Sequence, residues 1–309
     1  MIVLITGARG FIGRHVSRAL AADGDCVLGI GHGDWPSARE EAGLALWLNA
    51  DVSLANLRLV CREFGAPDVV VHLAGGSSVG AALANPLEDF RRTVVSTAEL
   101  LEWMRHDAPQ ARLVALSSAA VYGEGHEGRI PESAPLRPVS PYGYHKAVSE
   151  SLCRMYAKCY NLSISLLRPF SVFGPGLRKQ LIWDLCTRLR KGENIIKLGG
   201  TGRETRDWLY VEDLVQAVKL AIPEASAEAP VFNAGTGKAI TVQDFSQAVI
   251  EIFGLSSKVV NLVFTGEERA GDPRNLVSDI RKIKERGFNC GWTLRDGIKE
   301  YVNWFNKCR

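Results

Sequence analysis

Long apolar runs are missing from this chain. No stretch of its 309 residues approaches the roughly 20 apolar residues that a membrane-spanning helix needs, so no membrane span is expected. The N-terminus shows no basic segment, long apolar region and cleavage site in succession, so no signal peptide is expected. Charge of one sign is not in excess. Lys and Arg number 37 and Asp and Glu 34, a net +3, which is too small to imply a nucleic acid or membrane surface as partner. The seven cysteines, at 26, 61, 153, 159, 186, 290 and 308, contain no Cys-x-x-Cys pair, and no His/Cys cluster has metal-ligand spacing. They read as small buried hydrophobes of a reducing, cytoplasmic protein, and no metal is expected. Repeats and low-complexity tracts are absent too. What remains, 46% hydrophobic and 23% charged, is an ordinary soluble globular composition. The length allows one large domain or a domain with a smaller lobe.

Strand-like apolar runs at 2–6, 26–30, 45–49, 69–73, 112–117 and 163–168 alternate with helical patterns at 11–23, 53–64, 86–106 and 142–160. Such alternation predicts βαβ units, hence a mostly parallel, doubly wound α/β sheet covered on both faces. After Arg168-Pro169, Pro and Gly become frequent. Helices at about 178–191, 241–254 and 295–306 then alternate with short strands near 195–198 and 259–264. We therefore expect a Rossmann domain over 1–169, a smaller C-terminal α/β substrate lobe over 170–207 and 236–309, and a segment 208–235 that rejoins the first domain.

Three motifs carry chemistry. Gly7, Gly10 and Gly13 follow the first strand and open the first helix. A strand feeding a Gly-rich turn and a helix N-terminus is a cradle for a dinucleotide diphosphate, because free N–H groups and the helix dipole favour an anion there. Ser117-Ser118 follows the strand 112–117, and Tyr142 and Lys146 share a helix face four residues apart. A lysine beside a tyrosine favours the phenolate and lowers its pKa from about 10. A tyrosine so lowered is a base for an alcohol whose carbon loses hydride.

In this order the motifs resemble the extended short-chain dehydrogenase/reductase family of nucleotide-sugar epimerases, dehydratases and reductases. The resemblance spans nearly the whole chain, through Thr6-Gly7-Ala8-Arg9-Gly10-Phe11-Ile12-Gly13, Asp51-Val52, His72-Leu73-Ala74-Gly75, Leu167-Arg168-Pro169-Phe170, Thr205-Arg206-Asp207 and Arg269-Ala270-Gly271-Asp272. It implies Tyr142 as acid/base, Lys146 as its partner and ribose ligand, and Ser118 as the substrate-orienting hydroxyl. It implies that Gly7, Arg9, Gly10, Phe11, Ile12, Gly13, His32, Asp51, Val52, Leu73, Ala74, Gly75, Pro169 and Phe170 contact NAD or NADP. Ser78, Ser171, Arg206, Arg269 and Asp272 would contact a nucleotide-diphosphate sugar. The forked guanidinium groups of Arg206 and Arg269 suit its phosphates. Helices 86–106 and 142–160 would form a homodimer interface, and the expected setting is cell-surface polysaccharide biosynthesis.

The departures are informative. Ala119 and Ala120 stand where the family's dehydratases carry an acid pair, which argues against elimination of water. Gly31 stands where an acidic residue usually binds the adenine ribose, which leans towards NADP with His32 or Arg9 assisting, while Asp34, slightly later in the chain, is an alternative ribose ligand that keeps NAD open. Thr93 and Ser171 stand where Asn is frequent. The leading expectation is a 4-epimerase working through a transient 4-keto sugar. An NADPH-dependent 4-keto-sugar reductase is the alternative. A non-catalytic dinucleotide-binding regulator is a third reading, disfavoured by the intact Ser118, Tyr142 and Lys146.

Overall fold

A computed structural model describes residues 1–255, 259–267 and 273–308. Seven strands form its main sheet: β1 (Ile2–Thr6), β2 (Cys26–Gly31), β3 (Leu44–Asn49), β4 (Val69–His72), β5 (Arg112–Leu116), β6 (Ile164–Pro169) and β7 (Val231–Ala234). Their order is β3-β2-β1-β4-β5-β6-β7, and every neighbouring pair is parallel. This is a Rossmann-type α/β fold, with its order reversing between β1 and β4. A crevice opens at such a switch point, outside the carboxyl ends of the strands.

Both faces of the sheet are buried, so its strands read as near-continuous apolar runs. Alternate residues face opposite ways. Val3, Ile5, Val69 and Val71 pack with Val16 and Leu20 of α1 (Phe11–Ala22). Leu4, Val70 and Leu113 pack with Leu57 of α2 (Leu54–Cys61). The same layer takes Leu100 and Met104 from the helix Ser96–Asp107, and Cys153 and Ala157 from Pro141–Tyr160.

The helix expected over 86–106 is broken. It consists of α3 (Pro86–Phe90), a π-helical turn Arg91–Val95, and α4 (Ser96–Asp107). Hydroxyl groups account for the break. Thr97 Oγ1 donates to Thr93 O at 2.6 Å and Ser149 Oγ to the same oxygen at 3.2 Å, competing with the regular backbone ladder. Single π turns of this kind recur at functional sites.

Helix α5 (Pro141–Tyr160) starts where Ser140 Oγ accepts from Gly143 N, with Pro141 in the first turn, and ends at Asn161 in the left-handed conformation. Beyond β6 the chain forms α6 (Gln180–Arg190), α7 (Val211–Ala221), α8 (Val242–Ile252) and α9 (Leu294–Lys307). Helices α6, α8 and α9 share a core around Leu185, Phe245 and Phe305. A four-stranded sheet joins Ile240–Thr241, Thr205–Arg206, Asn275–Ser278 and Arg129–Ile130. None of these short strands was expected, and one comes from the first half of the chain.

Candidate active site

A cavity of about 1520 Å³ lies over the switch point. Single-ligand pockets run to about 1,000 Å³, so this volume suits two sizeable ligands side by side. Its floor is the turn after β1. Gly7 has φ of 73°, and a Cβ there would sit 2.9 Å from Ala74 N. A side chain on Gly13 would overlap the Gly7 carbonyl, so only glycine lets α1 start this close to β1. Helix α1 begins at Gly10 with no side-chain cap, which leaves its first N–H groups facing the cavity edge for an anion. The residues therefore fit a dinucleotide diphosphate.

Arg9, Phe11, Ile12, His32, Asp51, Val52, Leu73, Ala74 and Gly75 line the same cavity. Ala74 N donates to Thr6 Oγ1 at 3.2 Å, tying the loop after β4 to β1. At the end of β2, Arg9 Nη1 donates to His32 O at 3.4 Å, and a side chain on Gly33 would collide with Arg9. His32 Nε2 lies 3.1 Å from Asp51 Oδ1, and Asp34 Oδ1 accepts from Asn49 Nδ2 at 2.9 Å.

Ser118, Tyr142 and Lys146 line the opposite wall. Ser118 caps the turn Ala119–Val121, its Oγ accepting from Ala120 N at 3.1 Å. A hydrogen bond with Ser118 acts to lower the Tyr142 pKa, but burial acts more strongly and raises it. The expectation that the lysine would lower this tyrosine is therefore corrected: in this structure the loss of solvent dominates. Lys146 is 6% exposed, and its Nζ donates to Leu116 O at 3.0 Å. Burial brings its pKa down to about 8.

Pro169, Phe170, Ser171 and Arg206 line the cavity from β6 and beyond. Arg206 is 7% exposed, and its Nη1 donates to Thr205 O at 2.8 Å. Ser78 is a lining residue whose Oγ accepts from Ala81 N at 3.3 Å and so caps the helix Val79–Ala84. Arg269 and Asp272 lie outside the described residues.

Next to Pro169, Arg168 is held in a buried network. Its Nε and Nη2 donate to the two Glu150 oxygens, each at 2.7 Å, and its Nη1 to Tyr122 Oη at 2.9 Å. Tyr122 Oη donates to Asn233 Oδ1 at 2.6 Å. The network joins β6, α5 and β7 directly behind the cavity.

Sequence reasoning missed Lys179. It lines the cavity just before α6 and donates to Ser77 O at 3.0 Å, while burial lowers its pKa. No periodicity marks it. The Gly174-Pro175-Gly176 turn upstream was its one local signal.

Among the described residues no helix is long and apolar enough to cross a membrane, and no group of three His, Cys, Asp or Glu is placed to hold a metal. Residues 3–235 match the model of the NAD dependent epimerase/dehydratase family. The chain is 29% identical to the UDP-glucose 4-epimerase of Mycolicibacterium smegmatis, covering 99% of this chain and 98% of that one. Its fold is similar to that of the Thermotoga maritima UDP-glucose 4-epimerase solved with UDP-glucose (TM-score 0.89, 28% identity, 99% of both chains). It is also similar to that of MoeE5 in complex with UDP-glucuronic acid and NAD (TM-score 0.88, 30% identity, 100% of both chains). The chain belongs to the NAD-dependent epimerase/dehydratase family of enzymes.

Proposed function

We propose that this enzyme inverts a hydroxyl of a nucleotide-diphosphate sugar at C4, through a 4-keto sugar, using NAD or NADP. The observation that carries the reading is the convergence of Ser118, Tyr142 and Lys146 on one cavity with the turn at Gly7, Gly10 and Gly13. The relatives' substrates point the same way. When bound, the nicotinamide supplies reversible hydride exchange with a sugar carbon. Tyr142 Oη takes the hydroxyl proton as that carbon is oxidised and returns it after the sugar has turned. Ser118 Oγ shares the same sugar oxygen and orients it. Lys146, one turn further along the same face of α5, would hold the nicotinamide ribose, while the Ser118 hydrogen bond opposes the effect of burial on the phenol. Arg206 and Lys179, at the far end of the cavity, would hold the diphosphate firmly while the sugar turns. Arg269, Asp272, Ser78 and Ser171 are proposed contacts of the same ligand, and a homodimer through α3, α4 and α5 is the proposed assembly.

The end of β2 supports a second reading. Arg9 brings a guanidinium beside His32, where a 2′-phosphate would sit, and Asp34 is engaged with Asn49. This favours NADP, and with it a 4-keto-sugar reductase in which Tyr142 donates the proton. Incubation with UDP-hexoses and either cofactor separates the readings. Epimer formation without net change near 340 nm, roughly the reduced nicotinamide band, supports the epimerase. Stoichiometric NADPH oxidation by a 4-keto sugar supports the reductase instead. Tyr142→Phe should lower turnover by about 10²–10⁴-fold with dinucleotide binding retained. An unaltered rate refutes the tyrosine's role.

A further inference from the structure

Asp89, in α3, is 5% exposed. Its Oδ2 accepts from Nδ1 of His145 at 2.6 Å. His145 immediately precedes Lys146 in α5, and the Phe90 ring packs edge-on against it at 5.5 Å. The other face of Asp89 meets the loop after β4. A side chain on Gly76 would overlap Asp89 Oδ1, and a Cβ on Gly75 would lie 3.3 Å from Lys146 Nζ. The carboxylate and the ammonium thus flank two consecutive residues of one loop. Thr93 Oγ1 touches the same turn, accepting from Gly76 N at 2.8 Å.

Tyr142, one turn back on α5, is raised by burial and, to a lesser degree, by Asp89 itself, and Glu150 and Cys153 also act to raise Lys146. Glu150, one turn along α5, is paired with Arg168 at 2.7 Å and Arg154 at 3.1 Å. Burial pushes the Cys153 thiol up to about 12. His72 of β4, bonded to the Thr6 and Thr97 hydroxyls, is brought down to about 3 by burial and stays neutral. Beside Asp89 on its own side, Glu88 and Arg92 pair with each other at 2.6 Å. Asp89 is different, because its partner is an imidazole rather than a guanidinium.

We propose that Asp89 is a positioning residue that keeps Lys146 protonated across the loop at Gly75 and Gly76, with His145 as the donor that fixes its carboxylate. The role assigned to that charge rests on the reading of Tyr142 and Lys146 given above. The electrostatics agree in direction: Asp89 raises the Lys146 pKa against the burial that lowers it.

The test reads Lys146 itself. Full-length protein labelled with [ε-¹³C]lysine is titrated by NMR, with Lys146→Arg assigning the resonance. Asp89→Asn should move the Lys146 midpoint down by about one pH unit, the lower end of what an adjacent opposite charge supplies. His145→Asn keeps a donor near Nδ1 and should leave the midpoint in place. Asp89→Ser, smaller and uncharged, serves if the amide variant does not fold. A midpoint unmoved by both Asp89 variants overturns the proposal, whatever happens to activity. The alkaline limb of turnover should shift with the midpoint, costing about tenfold at a pH above it. A shifted midpoint in a protein that turns over no nucleotide sugar supports the charge assignment and refutes the reaction reading instead.

Discussion

At the scale of single residues, Lys146 sets two pH dependences of opposite sign. Its pKa is lowered from 10.5 to about 8 by burial. Below pH 8 the folded protein carries a buried ammonium at a cost. Between pH 8 and 10.5 the unfolded chain holds the proton more tightly, so the contribution of this group to stability rises with pH. In the folded protein the charge on Lys146 is lost around pH 8, and on the proposed mechanism turnover falls with it. We expect unfolding free energies of wild type and Lys146→Met, measured by urea titration, to converge between pH 8 and 10 while wild-type turnover falls. A constant gap between the two proteins would contradict the assignment. The residues lining this candidate site were legible in the sequence because Gly7, Gly10, Gly13 and Ser118 follow strand ends, and Tyr142 and Lys146 are four apart on one helix. Asp89 and His145 were not. Their pairing depends on how α3 lies against α5, which local spacing does not encode.

At the scale of elements, the strands of the main sheet were readable to within a residue or two because burial on both faces makes them unbroken apolar runs. The two- to four-residue strands at Arg129–Ile130, Ser171–Phe173 and Asn275–Ser278 carry no usable period. The π turn at Arg91–Val95 was hidden because its cause is a set of hydroxyl groups, one of them on another helix. The Arg168 network holds such elements together. Arg168 and Glu150 have side chains only 2% and 1% exposed, so removing one partner strands a buried charge. Arg168→Ala should cost about 3–5 kcal/mol in urea denaturation. A much smaller loss would mean that water or Tyr122 takes over the carboxylate.

At the scale of the molecule, an apolar surface runs across the paired helices. Leu87 is 58% exposed, Tyr144 58%, Val148 42% and Met155 41%. Exposed apolar side chains on α3 and α5 fit the proposed homodimer. Val148→Arg combined with Met155→Arg should convert a dimer into a monomer in light scattering behind size exclusion. A wild-type protein that elutes as a monomer at every concentration would remove the interface.

The small four-stranded sheet sets a timetable for biosynthesis. Arg129–Ile130 leaves the ribosome long before Asn275–Ser278, its parallel neighbour. The interval between them, roughly 145 residues, takes about 7–30 s at 5–20 residues per second. The edge strand Val231–Ala234 is also late. The sheets that carry the cavity therefore stay unfinished until the last third of the chain has emerged.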